Sequence, residues 1–316
     1  MACRFRSENC DYVSLDVPSV RSNSTSELFK SSAMERADMS GEVVTTNYLS
    51  RNPNPLVTVV TPSYNQAQFL EQTILSVLDQ DYSNIEYIII DGGSTDGSVD
   101  IIRKHEDRLA YWVCEPDQGQ AHAINKGWQM ARGEILAYLN SDDMYAPRAI
   151  ATAVEWLGAN PEAGVVYGDA LLIDHSGKVI GKFLGEAFDY QGFVRTCRNV
   201  IPQPSAFLRR NVLSRVGFLD PTLQFVIDFE FWLRVGRYCT LLHKTGVVSH
   251  VRIQPSSKTS RIKAVAATEI IQVYRRLFGQ PDLGEELRTI QAEAMGSAYA
   301  MAAGYAFAAL LPRETR

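Results

Sequence analysis

Cysteine is scarce and unpatterned in this chain. Cys3, Cys10, Cys114, Cys197 and Cys239 make an odd number and form no C-x-x-C pair. That spacing suggests neither a disulfide framework nor a zinc site, and a reducing cytoplasm is the simpler setting. Positive charge is short as well. Lys and Arg number 31 against 36 Asp and Glu, a net charge of −5, so broad contact with a nucleic-acid backbone is not expected. Met1 to Asp11 mix Arg, Glu and Asp without the apolar core of a secretory leader. Residues 1–54 lack sustained periodicity. They are rich in Ser, Thr and Asn, close on Asn52-Pro53-Asn54-Pro55, and read as a disordered tail. The acceptor-like triplet Asn23-Ser24-Thr25 inside it reads as chance.

What remains is ordinary in bulk: 316 residues, 46% hydrophobic and 21% charged, enough for one large α/β domain with an extension. Its pattern is more telling. Apolar, β-branched runs at 56–61, 85–90, 109–115 and 134–139 end in polar residues and turn formers. Helical spacing follows at about 66–79, where Phe69, Leu70, Thr73, Ile74, Val77 and Leu78 share a face and Asn65 is placed to cap. Further helices are expected at 97–105, capped by Asp96, and at 119–131, which Arg132-Gly133 ends by a C′ glycine. Such β-α units build a parallel sheet, and ligands sit beyond the carboxyl ends of its strands. Asp91, Glu115 with Asp117, and Asp142 with Asp143 fall at those ends.

From Pro147, read as the first residue of a helix to 158, alternation weakens. Strands are expected at 164–172 and 179–183 around an Asp174–Gly177 turn. A mixed region over 184–255 holds helices near 210–216 and 228–237 and a strand at 241–249. Helices follow at 258–278 and from 283 onward. The last is Ala-rich and weakly apolar. It reads as a helix packed on its own domain, with a membrane surface as the alternative. The divisions expected are a tail over 1–54, a catalytic domain over 55–255 with halves 55–145 and 146–255, and a helical extension over 256–316.

The segments VTVVTPSYNQAQFLEQTILSVLDQDY, IEYIIIDGGSTDGS, EPDQGQAHAINKG, ARGEILAYLNSDD and DFEFWLR cover about 180 residues, from roughly 57 to 237. Together they resemble the family-2 inverting glycosyltransferases of the GT-A fold. The resemblance implies a Rossmann-like, mostly parallel sheet flanked by helices. It also implies transfer of a sugar from a nucleotide-diphosphate donor, a UDP-sugar on this reading, to a hydroxyl on a growing glycan or lipid-linked acceptor. Mn2+ or Mg2+ would assist at the inner face of a membrane or in the cytoplasm.

By that resemblance Thr61, Pro62, Tyr64 and Asp91 line the base and ribose pocket, Asp91 accepting the base N–H. Gly119, His122, Asn125, Lys126 and Asp142 hold the nucleotide sugar. Asp143 ligates the metal with Asp142 beside it, since hard cations want carboxylate oxygen. Asp228 is the general base that an inverting displacement needs, at a helix start that favours its anion. Gln203, Glu230 and Arg252 belong to the acceptor pocket or its lid, with Ser256, Ser257 and Lys258 after them, while Trp232 reads first as a core residue and second as an aromatic that could stack on an acceptor sugar.

Two residues depart from the family pattern: His122 replaces a common Asp, and Gln254 replaces a common His. A neutral His cannot supply a carboxylate's charge. Both favour slightly an alternative, a catalytically silent sugar-nucleotide-binding scaffold on the same fold. A nucleotidyltransferase is discounted, because Pro62-Ser63-Tyr64-Asn65-Gln66 has neither the Gly nor the Lys of a triphosphate cradle.

Overall fold

A computed structural model describes residues 52–254 and 263–310. Residues 1–51 of the expected disordered tail over 1–54, and Ser256, Ser257 and Lys258 of the expected lid, lie outside them; Asn52, within that expected tail, is described and donates to Glu134 Oε1 at 2.6 Å.

The first half alternates as its apolar runs require. β1 (Val57–Ser63), α1 (Ala67–Leu78), β2 (Ile85–Asp91), α2 (Ser98–Lys104), β3 (Tyr111–Cys114), α3 (Gln120–Met130) and β4 (Ile135–Tyr138) follow in turn. Parallel pairing sets the order β3-β2-β1-β4. The order reverses between β1 and β4, which opens a crevice at their carboxyl ends. Every residue of β1 is buried because helices cover both faces. Val57, Val59, Tyr87 and Ile89 meet α1 on one side. Val60, Ile88 and Ile90 meet α3 on the other.

The second half extends the same sheet. β5 (Met144–Tyr145), α4 (Ala149–Ala159), β6 (Ala163–Ile173), β7 (Val179–Phe183), α5 (Tyr190–Thr196), β8 (Ala206–Arg209), α6 (Arg210–Val216), α7 (Ile227–Tyr238) and β9 (Thr240–Arg252) follow. The sheet continues β4-β8-β6-β9-β5, with β8 antiparallel to both neighbours and β9 parallel to β6. β5 and α5 lie where the sequence gives no element. β5 has two residues, too few for a pattern, and pairs with β9. α5 is short and capped by Asp189, whose carboxylate accepts from Gly192 N.

Helix starts differ from expectation in instructive ways. Asn65 does not cap α1; its side chain accepts from Thr95 N at 2.9 Å. Asp96 serves two helices instead, accepting from Ala67 N at 2.9 Å and Ser98 N at 3.1 Å. α4 begins two residues after Pro147, behind Arg148 in the left-handed region at φ 62°.

Three C-terminal helices, α8 (Lys263–Phe278), α9 (Glu285–Thr289) and α10 (Gln291–Leu310), complete the described chain. Ile270, Val273, Tyr274 and Leu277 of α8 share the core of α3 and α7, as do Ala294, Ala298 and Ala302 of α10. The alanines recur every four residues, so α10 presents one small-residue stripe. Among the described residues no helix is long and apolar enough to cross a membrane.

Gly133 is required for space, correcting the C′ reading. It has no positive φ, yet a Cβ there would lie 2.6 Å from Thr58 N and 2.8 Å from Ile135 O. Backbone cannot yield as a side chain does. Gly133→Ala is expected to destabilise the fold by about 1–3 kcal/mol, read as a lower midpoint in urea at unchanged slope.

Candidate active site

The crevice is built from four chain segments. At the ends of β1 and β2, Ser63 stands beside Asp91 in register. The Asp91 carboxylate is fully buried and accepts four hydrogen bonds. Ser63 Oγ (2.9 Å) and Ser94 Oγ (2.7 Å) donate to Oδ2; Gly93 N (3.1 Å) and Ser94 N (2.8 Å) donate to Oδ1. Asp91 therefore organises the turn, which corrects its assignment to a base. The Thr61 hydroxyl is also turned away, bonded to the Tyr87 hydroxyl at 3.0 Å. Pro62 is buried, and Tyr64 stands 63% exposed at the crevice lip.

A different carboxylate occupies this edge. Asp117, half-buried after β3, tucks against Gly92, where a Cβ would lie 2.8 Å from its Oδ2. Its Oδ1 accepts from Gly119 N at 2.7 Å. Its place at a strand end is legible beside Glu115; its approach to Gly92 is not.

Beyond β4, Asn140–Asp143 turns sharply. Asp143 is 4% exposed. Its Oδ1 accepts from Arg252 N at 2.9 Å, its Oδ2 from Asn140 Nδ2 at 3.1 Å, and its carbonyl from Thr73 of α1 at 2.7 Å. Asp142 turns outward and is half-buried; its Oδ2 accepts from Gln254 Nε2 at 3.0 Å. Burial raises both carboxyls. Asp143, pressed further by the Asp142 charge, rises to about 8.

Arg252 is no lid. It is 3% exposed. It donates to Asp142 O (2.9 Å), Asp174 O (2.9 Å) and Gln72 Oε1 (2.7 Å), and lies 4.5 Å over the Phe69 ring. One guanidinium thus joins the acidic turn to α1 and to the β6–β7 hairpin. β9 runs three residues past the expected strand, which draws Arg252 inside.

Side-chain amides connect this turn to its neighbours. Gln120, first in α3, donates to Asn140 Oδ1 at 2.6 Å. Asn140 Nδ2 reaches Gln203 at 3.4 Å, and Gln203 donates to Tyr138 O at 3.0 Å. Gln203 is 9% exposed and shapes the floor of the crevice from within this chain of amides. Gly119 holds φ 110° before α3, a region that favours glycine. In the first turn His122 keeps a buried Nδ1 with no hydrogen-bond partner among the described residues. Asn125 faces elsewhere. It exchanges two hydrogen bonds with the backbone of Leu219, at 2.8 and 3.0 Å, and so ties α3 to the loop before α7. Lys126 pairs with Glu115.

On α7, half-buried Asp228 accepts from Asn199 Nδ2 at 3.1 Å. The Tyr138 phenol, raised chiefly by burial, feels both the Asp228 and Asp143 charges. Glu230 faces away, bonded at 2.6 and 2.8 Å to Arg234. Trp232 is 1% exposed in the core and has no face for a sugar. Glu230, about 200° round the helix from Asp228, leaves the acceptor set by its facing, and Trp232, four residues on and near the Asp228 face, leaves it by burial.

An acid-lined crevice at the switch point of a curled, mostly parallel sheet is the plan of a GT-A glycosyltransferase. A model of glycosyl transferase family 2 matches residues 58–186. An uncharacterised glycosyltransferase of Mycobacterium tuberculosis is 32% identical over 190 residues, 58% of this chain and 70% of that one. A Bacillus subtilis glycosyltransferase named for teichuronic acid biosynthesis is 39% identical over 109 residues, 34% of this chain and 43% of its own. Among solved structures, S. aureus TarS in complex with UDP-GlcNAc superimposes with a TM-score of 0.63 at 15% identity, covering 78% of this chain and 73% of TarS. The mannosyltransferase PcManGT of Pyrobaculum calidifontis, in complex with GDP-Man and Mn2+, gives 0.58 at 22%, covering 83% and 78%. The chain belongs to glycosyl transferase family 2.

The raised Asp143 carboxyl carries a sign. Its folded pKa of about 8 lies above its ordinary 3.8, so folding takes up a proton between those values. Its contribution makes stability fall as pH rises from about 4 to about 8 and level off above. In EDTA, melting temperature should show this fall in wild type and less of it in Asp143→Asn. Arg252→Lys keeps the charge but loses the planar fork that reaches Asp142 O, Asp174 O and Gln72 Oε1 at once; the melting temperature should fall.

Proposed function

We propose that the protein is a metal-dependent inverting glycosyltransferase that moves a sugar from a nucleotide-diphosphate donor, a UDP-sugar, to an acceptor hydroxyl. The observation that carries this reading is the acidic turn beyond β4, where buried Asp143 is held by Arg252 N and Asn140 Nδ2 and Asp142 by Gln254.

The residues fit a hard divalent cation. Asp142 is half-buried, and Asp143 lies buried beside it with its carboxyl raised first by burial and then by that neighbour's charge. Two adjacent carboxyls that cannot both ionise cheaply call for a positive charge. Among the described residues no cluster of three His, Cys, Asp or Glu surrounds them. That suits Mn2+ or Mg2+, which take one or two carboxylates and complete their shell with substrate phosphates and water. When bound, the ion neutralises the diphosphate leaving group.

The rest falls to this chain. Gln254 orients Asp142 through its amide, and Arg252 holds the turn still. Tyr64 offers an exposed ring to the base. Asp117 accepts the ring N–H of the base in place of Asp91. His122, half-buried in the first turn of α3, stands on the donor side in this reading. Asp228, steadied by Asn199, takes the acceptor's proton as that oxygen attacks the anomeric carbon. The bond from that carbon to the diphosphate oxygen breaks on the opposite face, so the configuration inverts. The acceptor is a glycan or lipid-linked hydroxyl, in line with the Bacillus relative's name.

Calorimetric titration of UDP with and without Mn2+ tests the donor site. Binding should need the metal and should be lost in Asp143→Ala, and Asp228→Asn should bind UDP normally yet release no sugar. Asp117→Asn should weaken UDP by about tenfold or more, the worth of a hydrogen bond to a charged group. CDP, whose base has no ring N–H, should not respond to that change. If UDP fails to bind under every metal condition, the uridine assignment is wrong and GDP comes next.

A further inference from the structure

α7 carries the proposed base but has no side-chain cap of its own; its N-cap is Val226. The first backbone N–H groups of a helix and those just before it need acceptors. Here they come from a distant element. Glu269 of α8 is 6% exposed. Its Oε1 accepts from Gln224 N at 2.6 Å, and its Oε2 from Phe225 N at 2.8 Å and Val226 N at 3.1 Å. Three consecutive amides converge on one carboxylate.

The same helix face holds the other end of the loop. Arg276, seven residues on, donates to Asp220 Oδ2 at 2.5 Å. Residues 220–226 are thus gripped at both ends by α8. Aromatic packing fixes the grip: Phe229 of α7 stacks on Tyr274 of α8 at 6.2 Å and 16°, and Phe225 meets Tyr305 of α10 edge-on at 5.2 Å. The loop also touches the donor side, since the Gln224 amide lies 3.3 Å from where a Cβ at Gly119 would stand.

We propose that Glu269 is a positioning residue for Asp228, so that the C-terminal helices set the stance of the base toward the donor. This rests on the reading of Asp228 as base. A carboxylate accepts all three amides at once, whereas a Gln side chain turns an N–H toward at least one of them. The start of α7 should then loosen without loss of the fold. A shift of the base by even 1 Å is enough to cost on the order of 100-fold in rate.

The full chain is compared as wild type, Glu269→Gln, Glu269→Asp and Asp228→Asn. Hydrogen exchange is read over 224–230. Mn2+-dependent hydrolysis of UDP-GlcNAc or GDP-mannose is followed against pH, using whichever the wild type turns over. Glu269→Gln should raise exchange over 224–230 while β1 to β4 exchange as before. Its kcat should fall about 10- to 100-fold at unchanged donor KM, with the pH limb of kcat displaced. Glu269→Asp, which keeps the carboxylate, should recover part of both. Wild-type exchange at 224–230 in Glu269→Gln overturns the proposal, as does raised exchange with wild-type kcat and pH profile. A wild-type kcat in Asp228→Asn instead removes the base reading, while the exchange data still report whether Glu269 holds the helix start.

Discussion

A carboxylate kept out of water is the constraint on which this molecule turns. Asp143 sits at 4% exposure beside a second acid, a costly arrangement unless each oxygen has a donor and the surrounding backbone cannot drift. Arg252 supplies much of that. Its N–H holds Asp143, and its guanidinium holds the carbonyl of Asp142, the side chain of Gln72 and the 174–175 turn. Asn140 fastens the remaining oxygen and passes the restraint to Gln120 and Gln203. The crevice is consequently rigid where it is most charged, as electrostatic preorganisation requires.

Local pattern made the frame legible. β1, β2 and β4 are short apolar runs closed by polar residues, and α1 keeps its apolar side chains three and four apart; covering both sheet faces leaves little alternative. The acids at 142, 143 and 228 were readable because a strand end or helix start fixes where such residues stand. What sequence hides is partnership across distance. Asp91 looks like an open carboxylate until Ser63, from another strand, closes on it. Arg252 looks like a polar loop residue until β9 proves long enough to carry it inside. Asn125 lies in a motif yet serves Leu219, 94 residues away. The cap of α7 arrives from Glu269, and no spacing rule anticipates a cap from another helix.

The C-terminal helices belong to the same economy of restraint. Their apolar faces share one core with α3 and α7, so the helix that carries Asp228 and the helix that opens on the crevice are braced from one side. Family 2 supplies the crevice; the helices after it decide how firmly one wall stands.

The place of β9 in the chain also bears on how the protein comes into being. β9 pairs in parallel with β6, and its last residue closes a turn 109 residues earlier. During synthesis the strands from β1 to β4 emerge long before that partner exists. Non-local parallel pairing is slow to form, so the acidic turn spends the longest part of assembly without its clasp. The acidic turn therefore gains its clasp late, with β9, after most of the described chain has been made.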